Sequence, residues 1–285
     1  MPYKLPAAPE PDGLLTPEVG RWAEDKYKLV SLYDRLFSTA MKNKWDVRVY
    51  IDLYAGAGFA RIRHTDRLVY GSPLLALAIT DPFNKHIFCE ADASLLLALQ
   101  KRVDRLFPKS DVTYVHGDCD EQAHQICAAI PEHSKIRTVL SFCFVDPPNI
   151  SIKFSTMRAL SHQRKIDFVV LLALYMDANR NEQHYTSKRN SKVDEFLGTT
   201  SWRARWKHER LKGIKFPRFL AEEYSRQMET LGYINLPFHK MKKVRADKNQ
   251  PLYHLALFSR NKFASTLWDE VLKYSTDQIP LLGNA

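Results

Sequence analysis

The chain has 285 residues, of which 45% are hydrophobic and 26% charged, and it carries a formal net charge of +10. This composition fits one large domain or two small ones with an ordinary core, and it excludes collagen-like, disordered and disulfide-scaffold proteins. The longest apolar run, Phe168 to Met176, is too short for a membrane helix, and the proline-rich start (Pro2, Pro6, Pro9, Pro11, Pro17) lacks a signal pattern, so a soluble cytoplasmic protein is expected.

After that start, Thr16 with Pro17 and Glu18 predicts a capped amphipathic helix from Pro17 to Met41. Short β-rich runs follow at Arg48 to Tyr54, His86 to Glu90, Val112 to His116, Val139 to Val145 and Asp167 to Leu174. Helical stretches alternate with them at Pro73 to Ile79 (Ser72 as cap), Ala93 to Leu106, Glu121 to Ile130 and Ser155 to Arg164. Apolar strands separated by helices indicate a parallel sheet covered on both faces, a doubly wound α/β fold. A further helix, Phe219 to Leu231, precedes two late runs, Tyr233 to Pro237 and Leu252 to Ser259, which are expected to form an antiparallel edge across the basic stretch 238 to 251. A last helix spans Lys262 to Tyr274. The expected organisation is a single domain, 1–285: an N-terminal helical extension (1–44), a cofactor-binding core (45–175), a basic helical insert (176–231), and C-terminal strands and helix (232–285).

The positive charge is concentrated. Residues 179–218 hold eleven Lys/Arg, Arg180 and Lys188 among them, and a net of +7; residues 240–248, with Lys240, Asp247 and Lys248, add +4. Two segments therefore carry the whole excess, which suits a polyanionic partner, and Arg203, Arg205, Lys207, Lys242 and Lys243 are the expected nucleic-acid contacts. Tyr185, Trp202, Trp206 and His208 lie among these bases, either as stacking platforms for single-stranded nucleic acid or as the buried side of a helix. The four cysteines (Cys89, Cys119, Cys127, Cys143) include no CxxC, so they read as reduced apolar residues, with no metal expected.

The run Val49 to Gly58 reads VYIDLYAGAG, a buried strand entering a glycine turn, where an open α/β sheet binds its ligands. Arg61 stands where a dinucleotide fingerprint has its third glycine, so a pyrophosphate site is disfavoured. Asp52, Gly56 and Gly58 instead resemble the first motif of class I S-adenosylmethionine-dependent methyltransferases. Acids end the next strands too: Glu90, placed to accept ribose hydroxyls; Asp118, placed to accept an adenine amine, with the Cys119 backbone N–H beside it; and Asp146. The longer connection Phe59 to Tyr70 is expected to be a loop over cofactor or substrate.

Asp146-Pro147-Pro148-Asn149 resembles the (D/N)PP(Y/F) turn of amino-methyltransferases, in which acceptors from a side chain and a proline carbonyl hold an amine for methylation. Asn149 departs from that pattern, because it cannot stack on a flipped base; Phe154 is the next ring. Lys26, Leu29-Val30 and Tyr33, then VYIDLYAGAGFARI, GSPLLAL (Gly71 to Leu77), the DPP turn and PLYHLALFSRNK (Pro251 to Lys262) are similar to the three-Cys-motif partner (TcmP) family. That resemblance implies a methyltransferase-like Rossmann fold and a companion protein with a three-cysteine motif. The expected function is S-adenosylmethionine-dependent N-methylation of a nucleic-acid base amine. The alternative is a non-catalytic methyltransferase-like adaptor that binds the companion or nucleic acid. A nuclease would need a metal-binding acid cluster that the sequence does not assemble.

Overall fold

In the computed structural model, the described residues are 8–175, 181–187, 189–245 and 250–273. Expectations that fall on Pro2, Pro6, Met176, Arg180, Lys188, Asp247, Lys248 and Tyr274 lie outside them. Residues Glu18–Val19 form strand β1, Trp22–Met41 helix α1 and Val47–Asp52 strand β2. The chain continues through β3 (Phe59–Ile62), β4 (Leu68–Tyr70), α2 (Ser72–Leu77), β5 (Lys85–Glu90), α3 (Ala93–Leu106), β6 (Val112–His116) and α4 (Ala123–Ala129). It then passes through β7 (Val139–Val145), α5 (Phe154–Ser161) and β8 (Ile166–Leu172) into four helices, α6 (Glu182–Thr186), α7 (Lys192–Leu197), α8 (Trp202–Leu211) and α9 (Phe216–Thr230). Strands β9 (Lys242–Arg245) and β10 (Pro251–Phe258) and helix α10 (Lys262–Lys273) complete it.

Seven strands form one sheet in the order β6-β5-β2-β7-β8-β10-β9. The first five run parallel, whereas β10 is antiparallel to both β8 and β9. Strands β2, β7 and β8 are buried along their whole length, as strands covered by helices on both faces must be. The architecture is the expected doubly wound, Rossmann-like α/β sheet with its antiparallel strand. Its strand order reverses between β2 and β7, with Asp52 in register with Phe144, so the crevice at those two strand ends is the ligand position this topology creates.

One face of the sheet packs α1, α2, α3 and α10 around Tyr33, Phe37, Phe142 and Trp268. The other face packs α4, α5 and α7 to α9, including Trp202, Trp206, Phe216 and Tyr224. The basic segment thus shares the core of the sheet. Among the described residues no helix is long and apolar enough to cross a membrane, and all four cysteines are free thiols.

Four local expectations are corrected. Helix α1 starts at Trp22, not Pro17; the Thr16 hydroxyl donates to the Leu14 carbonyl at 3.0 Å instead of capping a helix. The stretch Phe59 to Tyr70 is no loop: β3 and β4 form a hairpin that β1 joins in parallel as a three-stranded sheet. Helix α2 is capped by Gly71, which leaves Ser72 inside the first turn. At the late edge, Tyr233 to Pro237 forms no strand, and the basic run Lys242–Arg245 pairs with β10 instead. A short charged edge strand is a common defence against unwanted strand addition, and its charge hides it from a hydrophobicity-based reading.

The N-terminal arm is held by one side chain. Arg102, fully buried on α3, forms a double hydrogen bond to Asp12 (2.9 and 2.8 Å) and donates to the Leu15 carbonyl (3.0 Å) and the Thr16 hydroxyl (2.9 Å). It also donates to the Ala57 carbonyl at 2.7 Å, so the same guanidinium ties the arm to the glycine turn.

Candidate functional site

Asp52 closes β2 with no exposed surface. Its carboxylate accepts from the Tyr54 backbone N–H (3.2 Å) and the Tyr50 hydroxyl (3.3 Å), with the Ser72 hydroxyl as a third donor. Burial raises its pKa to about 7; the three donors oppose the rise and the charge of Asp146 adds to it. The sign follows directly. The folded pKa exceeds the ordinary 3.8, so ionising Asp52 in place costs stability that accrues as pH rises from about 4 to about 7. Asp52→Asn is therefore expected to gain stability relative to the wild type across that window, at up to about 1.4 kcal/mol per pH unit. Urea midpoints at acid and mildly alkaline pH check this; a difference that does not change with pH would show that Asp52 titrates normally.

The glycine turn has two different halves. Gly56 has φ +62°, and a Cβ there would meet no atom within 4 Å, so open space lies in front of the backbone. Gly58, also at positive φ, is packed: a Cβ would come within 2.9 Å of Leu99 and 3.0 Å of Leu74, and its carbonyl accepts from Gly71 N–H at 2.7 Å. Gly58 thus serves packing rather than close approach of a ligand, which corrects its expected role. Glu90, at the end of β5, accepts the Gly56 N–H at 2.7 Å and the Asp92 N–H at 3.0 Å. The next strand end presents Asp118, exposed, whose carboxylate accepts the Asp120 N–H at 2.8 Å. Cys119 is buried beside it, its thiol pushed up to about 12 chiefly by burial. The Asp118, Cys119 and Asp120 ligand atoms lie within 4.8 Å of one another, but Asp120 already accepts from Thr156 and from the Lys153 N–H.

At the fourth strand end the sequence missed a partner. Asp146 pairs with the Lys26 ammonium at 2.5 Å, and the two side chains are only 13% and 10% exposed. Burial works against the charged lysine, but the Asp146 carboxylate beside it, with smaller contributions from Tyr27 and Tyr253, outweighs that effect, so its pKa is raised. A signal was available: Ala23, Lys26, Val30 and Tyr33 share the inward stripe of α1, and a lysine on a buried stripe needs an acid. In the same turn Pro147 is buried, Pro148 is exposed, and Asn149 Oδ1 is buried with no hydrogen-bond partner among the described residues. Phe154 cannot stack on a substrate. It has no exposed surface and is packed against Tyr224 and under Gly198.

The basic segments divide. Arg203 forms an ion pair with Asp194 and donates to the Asn190 carbonyl at 2.8 Å. Arg205 grips Glu223 with two bonds, and that carboxylate is 1% exposed. Both arginines thus have structural partners: Asp194, half-buried in the first turn of α7, and the buried Glu223 on α9. Trp202 (0% exposed) and Trp206 (5%) pack on Phe216 and Phe219, and Tyr185 is buried as well, so these rings are the inner side of the helices rather than stacking platforms. Lys207, His208 and Arg210 face solvent on α8. Lys242 and Lys243 lie half-buried on edge strand β9, with the Lys243 ammonium 5.8 Å from the Tyr175 ring.

Asp52, Glu90, Asp118 and Asp146 thus stand at the ends of four neighbouring strands around the Gly56 turn. No family model matches the chain, and no curated protein matches its sequence. Solved structures resemble it in outline. A protein from Legionella pneumophila is 12% identical with a TM-score of 0.47, covering 89% of this chain and 92% of its own. An O-methyltransferase from Bacillus cereus, in complex with S-adenosylhomocysteine, is 11% identical at 0.43, covering 82% and 80%. The O-methyltransferase TomG from Streptomyces achromogenes, in complex with S-adenosylmethionine, is 15% identical at 0.44, covering 82% and 79%.

Proposed function

We propose that this protein is an S-adenosylmethionine-dependent methyltransferase that modifies a base amine of nucleic acid, working in the cytoplasm beside a three-Cys-motif companion. The observation that carries the reading is the open space over Gly56, bordered by the Glu90 carboxylate at the topological switch point. An acid at the second strand end beside bare backbone at the first suits a nucleoside with a short cationic tail. Gly56, Glu90, Asp118 and the Cys119 N–H would hold the cofactor, which when bound supplies a methyl group activated by a sulfonium; Asp52, with no exposed surface, braces the turn from behind instead of touching a ligand, which corrects its expected contact.

The chain's own part in the reaction centres on Asp146. Lys26 holds one carboxylate oxygen; the other oxygen can accept an amine N–H. Together with the Pro147 carbonyl, that acceptor orients the nitrogen lone pair and can take the proton the nitrogen loses. The exposed bases Lys207 and Arg210 support phosphate contact.

The test is transfer of labelled methyl groups to total RNA and DNA, with and without the companion. Asp146→Ala is expected to abolish transfer while leaving S-adenosylhomocysteine affinity within about 1 kcal/mol. Transfer that survives the substitution would make the turn structural. No transfer by the wild type under any condition would favour the adaptor.

A further inference from the structure

Taking a base out of its stack costs energy that a replacement stack offsets, and neither Asn149 nor the buried Phe154 can offer one. A cavity of about 200 Å³ lies between α1, β4, α2 and the N-terminal arm, and Tyr27, Tyr70, Leu68, Val69, Leu75 and Pro9 are among its walls. It is smaller than the roughly 300 Å³ at which pockets for whole drug-sized ligands begin, so it suits one ring system rather than a complete nucleoside cofactor. One wall, Tyr27, adjoins the Lys26–Asp146 pair. The Lys26 ammonium sits 4.7 Å from the centre of the Tyr27 ring. The Tyr27 phenol, raised mainly by burial, also feels the charges of Lys26, Asp146 and Asp52. The opposite wall, Tyr70, is half-buried and braced edge-on by Phe59 at 5.4 Å. Lys28, exposed, is the lining cation placed to meet the phosphate of a nucleotide, whereas Arg67 is paired with Glu24, also in the lining, at 2.5 Å.

We propose that this cavity receives the acceptor base, which stacks on Tyr27 or Tyr70 with its exocyclic amine turned toward Asp146. The proposal rests on the methyltransferase reading for the purpose of that base, but the cavity's occupancy is measurable without any turnover. Adenosine and cytidine 5′-monophosphates serve as probes, detected by saturation-transfer NMR and titrated against the wild type, Tyr70→Ala and Val69→Trp. Circular dichroism shows whether each variant is folded, and S-adenosylhomocysteine is titrated separately by calorimetry.

Tyr70→Ala, which removes a stacking ring, is expected to weaken nucleotide binding about tenfold or more, and Val69→Trp, which fills the cavity, to abolish it, with S-adenosylhomocysteine affinity unchanged in both. Undiminished nucleotide binding in folded Val69→Trp would overturn the proposal, as would no nucleotide binding by the wild type. Loss of S-adenosylhomocysteine binding in Val69→Trp with nucleotide binding intact would assign the cavity to the amino-acid end of the cofactor and overturn it equally. Nucleotide binding that responds as expected in a protein that never binds S-adenosylhomocysteine would uphold the cavity and reject the methyltransferase reading.

Discussion

Arg102→Met is expected to cost about 3 to 5 kcal/mol and to release the N-terminal arm. The guanidinium is fully buried, and the Asp12 side chain it grips is 3% exposed, so the substitution leaves that carboxylate with the Leu14 N–H at 3.2 Å and Arg105 at 2.9 Å as its described partners. The Leu15 and Ala57 carbonyls lose their donor in the same step. The Arg102 hydrogen bonds, more than any other cause, hold Asp12 at about 2, below its ordinary 3.8. A depressed acid contributes stability that is present above the unfolded value and lost as pH falls through the folded one. The wild type should therefore lose this contribution between about pH 4 and about pH 2, and the variant should lack that limb. Urea unfolding gives the magnitude, and hydrogen exchange at Leu14 to Thr16 reports the arm. A loss below about 1 kcal/mol would mean that the pair behaves like a surface ion pair.

Lys26→Met should be as severe and of a different kind. It leaves the Asp146 carboxylate, 13% exposed, without its counterion, at a cost of about 3 kcal/mol. The proposed methyl transfer should fall about 100-fold or more, because without the Lys26 ammonium the Asp146 carboxylate is no longer held in place. Adding Asp146→Leu to Lys26→Met should return most of the stability and none of the activity, since the double variant buries no charge and has lost the side-chain acceptor. If stability stays low in the double variant, Lys26 acts through packing of its stem and not through the ion pair.

Much of the sheet was legible because its strands are buried on both faces. Val112–His116 and Val139–Val145 have the expected bounds, and the other parallel strands differ by one or two residues at their ends. The strand-end acids followed from the same pattern, since the chain turns polar where each strand leaves the core. What escaped was set by long-range pairing. The β3–β4 hairpin turns through His64 at φ 61° amid Arg61, Arg63, Asp66 and Arg67, a composition that reads as a solvated loop until β1 pairs with it. The Lys26–Asp146 bond spans 120 residues, and Asp194 and Glu223 claim arginines that the sequence assigns to nucleic-acid contact. A charge count registers such residues as free, although a buried acid elsewhere has already neutralised them.

Calorimetric titration with S-adenosylhomocysteine tests the cofactor site most directly, because it depends on the glycine turn and strand-end acids and not on the identity of any acceptor. The wild type should bind, and Glu90→Ala, which removes the carboxylate beside the open face of Gly56, should weaken binding by about 1.5 to 3 kcal/mol. A wild type that gives neither heat nor a thermal shift, or a Glu90→Ala variant that binds as tightly as the wild type, would contradict it.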